Sequence, residues 1–205
     1  MPTTPASAAM RDFAVDRTKA YTFGLGGVNA SVARKLLFWL SNSEFHCVVA
    51  YRFGQYADEL LARNRIVGNI ARVAHRLANR WLTHIDHVDI SHHARIGAGM
   101  LLIHRHGVII GPTVIGKNCV IHQNVTIGQR VAGGDQGVPT IGNDVWIGPG
   151  AVLTGTITIG DGVTISAGTI LSKDVPSNCL VAGNPGRVVA RDYDNSSIMN
   201  FTAPD

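Results

Sequence analysis

From Val88 to about Val189 an apolar position recurs every six residues. The clean stretch begins at Pro139 and reads PTIGND, VWIGPG, AVLTGT, ITIGDG, VTISAG, TILSKD. Ile141, Ile147, Leu153, Ile159, Ile165 and Leu171 stand third in their units. A short repeat with one fixed apolar position predicts a parallel β-helix. One such segment cannot bury its apolar residue alone, but stacked coils bury a continuous ladder. Three units make one coil of a triangular prism, so residues eighteen apart lie one above the other. Glycine in fourth place (Gly142, Gly148, Gly160) suits the sharp corners.

Upstream the pattern continues with interruptions. VDISHH and ARIGAG open it, and MLLIHRHG (100–107) carries two extra residues. VIIGPT overlaps TVIGKN by one residue at Thr113, CVIHQN and VTIGQR restore the phase, and VAGGDQGV is an insertion. Extra residues in a solenoid leave the wall as loops, and such loops line binding faces. The segments 100–107 and 129–138 are therefore the irregularities of interest.

Before the repeats, the pattern is helical. Residues 1–28 are small, polar and glycine-rich, and a mobile N-terminus is expected there. A helical segment follows over 29–86. Asn29 or Ser31 caps a helix through ARKLLFWL, a second covers 44–64 and a third 65–82. Ile66, Ile70, Val73, Leu77 and Trp81 give the third its three-to-four spacing. These helices either cap the open end of the prism, as solenoids require, or serve assembly or acceptor recognition. The β-helix is expected over 87–190 and a loose C-terminal tail over 191–205, with Pro176 and Pro185 ending the regular coils.

Composition narrows the function. The 205 residues suffice for one good core; 45% are apolar, 16% charged, and the net charge is +4. That charge weakly favours an anionic ligand, but no basic run with interleaved aromatics points to nucleic acid. Cys47, Cys119 and Cys179 are odd in number and scattered, with neither disulfide nor metal spacing. No signal peptide and no membrane span are read in the chain, so a cytoplasmic location is expected.

The stretches IHRHGVIIG, CVIHQNVTIGQ, GVPTIGNDVWIGPGAVLTG and VPSNCLVAGNPGRVV resemble the hexapeptide-repeat acyltransferases. Within that superfamily they resemble the serine acetyltransferases, in the branch of polysaccharide or secondary pathways. The likeness covers roughly 88–190, and AYRFGQY is its best local match in the helical half. It implies a mainly β fold, a left-handed parallel β-helix with an N-terminal helical segment. It implies acetyl-CoA as co-substrate, bound in a groove between neighbouring prisms of a homotrimer, and no metal. Serine acetyltransferases also pair two trimers through their helical domains.

Acetyl transfer to an alcohol needs a base for the hydroxyl proton, a donor to the oxyanion and a thioester held in reach. A neutral imidazole suits the first task. Of nine histidines, His104 occupies the position of the family's catalytic histidine, and His106 is the second choice. The resemblance places Gln129, Gly148, Pro149 and Ala167 along the pantetheine arm, and Ser166, beside Ala167, is expected to bind the cofactor with them. Lys173 and Arg187 are the cations expected near the nucleotide phosphates.

The departures concern the acceptor. Ile103 stands where the family has Asp, and Gly137 and Val138 stand where it has Arg and His before a proline. No acidic counterpart is found between Val28 and Leu40. A free amino acid brings a carboxylate and an ammonium, and each needs a charged partner once desolvated. A small neutral or saccharide hydroxyl is therefore the expected acceptor, with L-serine as the alternative. Two further readings remain. His104 and His122 are eighteen apart, nominally one coil, which admits a γ-carbonic-anhydrase-like metal site; such a site needs a third ligand. A non-catalytic scaffold is the other.

Overall fold

The computed structural model describes residues 7–130 and 137–199. The outer parts of the two expected termini, and 131–136 of the expected loop, lie outside the described residues.

Four helices come first: α1 (Ala8–Leu25), α2 (Val32–Ser41), α3 (Ser43–Arg63) and α4 (Arg65–Asp86). The expectation of a mobile N-terminus fails for most of its length, because α1 is a capped, docked helix. Ser7 Oγ accepts from the Met10 amide, and Asp16 and Lys19 are fully buried. Ser31, one of the two proposed caps, accepts from the Arg34 amide at the start of α2.

The prism follows in five turns. The first is β1 (Asp89–Ile90), β2 (Arg95–Ile96) and β3 (Leu101–Ile103). The second is β4 (Ile109–Ile110), β5 (Val114–Ile115) and β6 (Val120–His122). The third is β7 (Thr126–Gly128), β8 (Thr140–Ile141) and β9 (Trp146–Ile147). The fourth is β10 (Val152–Thr154), β11 (Thr158–Ile159) and β12 (Thr164–Ile165). The fifth has β13 (Ile170–Leu171), a bridge from Val175 to Ile159, and β14 (Cys179–Ala182). Then β15 (Arg187–Arg191) folds back antiparallel on β14, and α5 (Ser196–Met199) ends the described chain.

Parallel pairing puts these strands into three walls, β1-β4-β7-β10-β13, β2-β5-β8-β11 and β3-β6-β9-β12-β14. The ladder is the one the repeat predicts. Ile141 stacks on Ile159, Ile147 on Ile165 and Leu153 on Leu171, all 2% exposed or less. The phase slips are real too. Ile90 pairs with Ile110, two residues beyond the regular eighteen, and Ile110 pairs with Ile127, one short of it. The eight-residue insertion is absorbed between β7 and β8, for Ile115 still pairs with Ile141.

The helices close the first turn. Cys47, Val48 and Tyr51 of α3 belong to the same buried cluster as the prism interior. The join is also polar. Asp16 accepts from the Gly99 and Met100 amides (2.7 and 2.9 Å) and pairs with Arg52 at 2.7 Å. Arg52 donates onward to the carbonyls of Ile96 and Gly97, each at 2.7 Å. Tyr51 donates its hydroxyl to the Ala94 carbonyl, and Lys19 donates to Asn118.

The expected loose tail is partly ordered. Asn195 donates to the Asp144 carbonyl, and Met199 packs on Leu101 and Val120. It therefore covers one outer row of the third wall.

Candidate active site

The two extra residues of the first turn form one corner. Ile103 pairs with His122 and Ile109 with Thr126, so residues 104–108 oppose only 123–125. His104 is the first residue of this excursion. It takes a left-handed backbone (φ 53°) and its side chain is exposed. A cavity of about 290 Å³ lies beside it, between β3 and the helices. Its walls are mainly apolar, with Phe23, Phe38, Phe45, Val48 and Ile103 among them, while Asn42, Glu44, Asp16 and His104 supply polar groups.

Next to His104, Arg105 forms an ion pair with Glu44 at 3.6 Å, and both side chains are partly buried. The sequence reading missed Glu44. It lies at the start of α3, outside the interval searched for an acid, and only the docking of the helices on β3 brings it here. His106, the second choice of base, is exposed and does not line the cavity; its carbonyl accepts from the Asn124 amide.

His122 lies one strand above Ile103, not above His104. The extra residues therefore undo the eighteen-residue spacing behind the metal reading. Among the described residues, no three His, Cys, Asp or Glu side chains converge as a metal-binding group. The His122 Nδ1 lies 3.2 Å from the Ile147 carbonyl, so Nδ1–H donates and the lone pair falls on Nε2. Burial holds its pKa below the usual histidine value and nearby His104 lowers it further, against the carbonyl contact. Trp146, outward-facing as the register requires, is half-buried with its ring 4.6 Å from that of His122.

The residues expected to hold acetyl-CoA fall into two groups. Register places Gly148 beside Ser166, and Pro149 beside Ala167, at the corner after the third wall. Arg187 pairs with Ala182, the next residue up the Gly148–Ser166 row. This corner continues the edge that begins at His104. Three strand spacings separate β3 from β12, about 14 Å. Gln129 and Lys173, both exposed, stand two turns apart at the corner after the first wall. The structure thus unites His104 with Gly148, Pro149, Ser166, Ala167 and Arg187 along one edge and leaves Gln129 and Lys173 on another.

Small residues keep the His104 edge open. Ala167 is exposed, and a Cβ at Gly168 would meet nothing within 4 Å. At Gly148 the reason for glycine is different: a Cβ there would lie 2.7 Å from the Ile165 carbonyl oxygen and 2.8 Å from the Ala167 amide nitrogen. Glycine there lets successive turns close.

A family model, the bacterial transferase hexapeptide (six repeats), matches residues 139–173. A serine acetyltransferase of Synechococcus elongatus is 39% identical over 137 residues, 59% of this chain and 56% of that protein. The solved soybean serine acetyltransferase complexed with serine is 30% identical at a TM-score of 0.69, covering 89% of this chain and 70% of that one. The Brucella abortus serine acetyltransferase in complex with coenzyme A is 26% identical at a TM-score of 0.70, covering 89% and 68%. The chain spans between a third and two thirds of the length of the curated relatives it matches.

Proposed function

The chain belongs to the hexapeptide-repeat acyltransferases, in the group of the serine acetyltransferases and on their left-handed parallel β-helix, and from that premise we propose that it transfers the acetyl group of acetyl-CoA to the hydroxyl of L-serine. The observation that carries the reading is the corner at 104–108. It sets an exposed imidazole on an edge of the prism, over a cavity, in line with a row of small residues.

In this reading the acceptor sits in the cavity with its hydroxyl toward His104. The imidazole takes the hydroxyl proton as the oxygen attacks the thioester carbonyl. The C–S bond then breaks, and coenzyme A leaves as the thiol with a proton returned from the imidazolium. Acetyl-CoA lies along the edge through Pro149, Ser166 and Ala167, with Arg187 toward its phosphates, in a groove completed by the neighbouring prism of a homotrimer. A cytoplasmic setting agrees with three buried cysteines that form no disulfide.

L-serine was the alternative at the level of sequence, and two findings raise it above the neutral hydroxyl. The relatives named above are serine acetyltransferases, one of them solved with serine bound. Glu44 brings a carboxylate to the cavity beside His104, as the ammonium group of an amino acid requires, and its ion-pair partner Arg105 stands next to His104 in the chain. The neutral or saccharide acceptor keeps one support, since Ile103, Gly137 and Val138 carry no charge for an amino acid.

Release of free thiol from acetyl-CoA, followed across L-serine and a panel of sugars and neutral alcohols, separates the two. Saturable turnover with L-serine, weakened at least tenfold in kcat/KM by Glu44→Gln, is the expected result. Turnover with a sugar and none with L-serine would replace the first reading by the second.

A further inference from the structure

Ile103, His122, Gly148 and Ser166 form one outward row along the His104 edge. Ile103 pairs with His122, and the pairings of β6 with β9 and of β9 with β12, each continued by one residue, bring Gly148 and then Ser166 into line. The first polar member of the row is His122. Side chains alternate between the two sides of a wall, and Ile121 fills the prism interior, so His122 turns out toward the groove. It stands one strand spacing, about 4.8 Å, above the level at which the chain leaves the wall for His104.

The ring of His122 is fixed by its surroundings. Its Nδ1–H donates to the Ile147 carbonyl at 3.2 Å. The Trp146 ring lies 4.6 Å away, centroid to centroid. Trp146 is itself anchored, because it packs against the cluster of Leu101, Val120 and Met199. Its indole also reaches over Gly148, where a Cβ would come within 2.8 Å of it. A carbonyl can only accept, so the proton sits on Nδ1 and the lone pair on Nε2, the nitrogen further from the backbone. Burial keeps the pKa below the ordinary histidine value, so the ring is neutral at neutral pH. His122 is therefore a rigid acceptor with no proton to offer at Nε2, and what it complements is a donor.

The pantetheine arm carries two amide N–H groups. The nearer one, of the cysteamine unit, is two methylenes from the thioester sulfur. With the thioester carbon in reach of a hydroxyl held by His104, an arm running up the edge brings this N–H to the next strand level, that of His122. We propose that His122 Nε2 accepts a hydrogen bond from the cysteamine amide N–H of acetyl-CoA and so sets the height of the thioester against His104. An apolar side chain here would leave that N–H without a partner once the groove closes over it. The proposal rests on the acetyl-CoA reading of this edge and holds whichever hydroxyl is acetylated.

Calorimetric titration of the assembled full chain with coenzyme A tests it, beside an analogue in which a methylene replaces the cysteamine N–H. The wild type is expected to bind the analogue about tenfold more weakly, the size of one hydrogen bond. His122→Leu, which keeps an apolar contact with Trp146, should bind coenzyme A about tenfold more weakly and no longer tell the two ligands apart. His122→Gln, whose amide oxygen can accept, should regain part of the affinity and part of the discrimination. A side chain that merely braced Trp146 would leave the discrimination untouched. Equal discrimination by wild type and His122→Leu, at unchanged assembly mass, would therefore overturn the proposal, and so would an unchanged affinity of His122→Leu for coenzyme A. Folded wild type that binds no coenzyme A at all would instead sink the acetyl-CoA reading, and the proposal with it.

Discussion

Replacing Asp16 by alanine should cost the protein a large part of its stability and loosen the acceptor cavity. Asp16 is fully buried and accepts four hydrogen bonds, from the amides of Gly99 and Met100 and from Arg52 at 2.7 and 3.3 Å. Burial raises its pKa, while Arg52 and the two amides oppose that rise. Its loss leaves the Arg52 guanidinium, on a residue only 2% exposed, without its main counter-charge. Breaking a buried pair in this way costs about 3–5 kcal/mol. Each amide left without an acceptor adds about 1–3 kcal/mol where water does not reach it. Against a usual total of about 5–15 kcal/mol, that is a severe loss. Asp16 also lines the His104 cavity, and α1 supplies Ala20 and Phe23 to the same wall. Undocking α1 should therefore raise KM for the acceptor more than KM for acetyl-CoA. The assay is a double-mutant cycle of urea midpoints at one fixed protein concentration, with Asp16→Ala, Arg52→Met and the pair. The double variant should be less destabilised than the sum of the singles by about 2 kcal/mol or more. An Asp16→Ala protein within about 1 kcal/mol of wild type would refute the idea that this clamp joins helices to prism.

Gly148→Ala should lower stability by about 1–3 kcal/mol, because its Cβ would press on backbone atoms of the next turn; thermal denaturation reads this, and KM for acetyl-CoA should rise with it. Lys19 gives a pH dependence. Burial lowers its pKa from 10.5 to about 8, so the unfolded chain holds the extra proton between those values and stability rises with pH across that window. Relative to Lys19→Met, the wild type should gain up to about 3 kcal/mol from pH about 8 to about 10.5, and a flat difference in urea midpoint would contradict this.

Much of the fold is written in the chain in a form that can be read locally. The third-position ladder is legible because each aliphatic residue of one hexad faces the same axis, and every one from Ile141 to Leu171 is buried. The excursion at His104 is legible by counting, since two surplus residues have nowhere to go but outward. The docking of α1 is not. Its buried residues include Asp16 and Lys19, whose burial depends on partners far away at Gly99, Met100 and Asn118, so no apolar period marks the inner face. Glu44 escaped for the same reason, because its place beside Arg105 depends on tertiary packing. The spacing of Ile66 to Trp81 correctly indicated an amphipathic helix, but periodicity does not say which way the apolar face turns. Gly68 and Ala71 of α4 decide that, by giving α3 a close approach.

The central claim is that the imidazole at the first residue of the surplus corner abstracts the acceptor proton. Its most direct test is single-turnover acetyl transfer by His104→Ala, compared with wild type at saturating acetyl-CoA and acceptor, on protein whose assembly mass and melting temperature are unchanged. The rate should fall by roughly 10²–10⁴-fold. A rate within a few-fold of wild type would remove His104 from the chemistry.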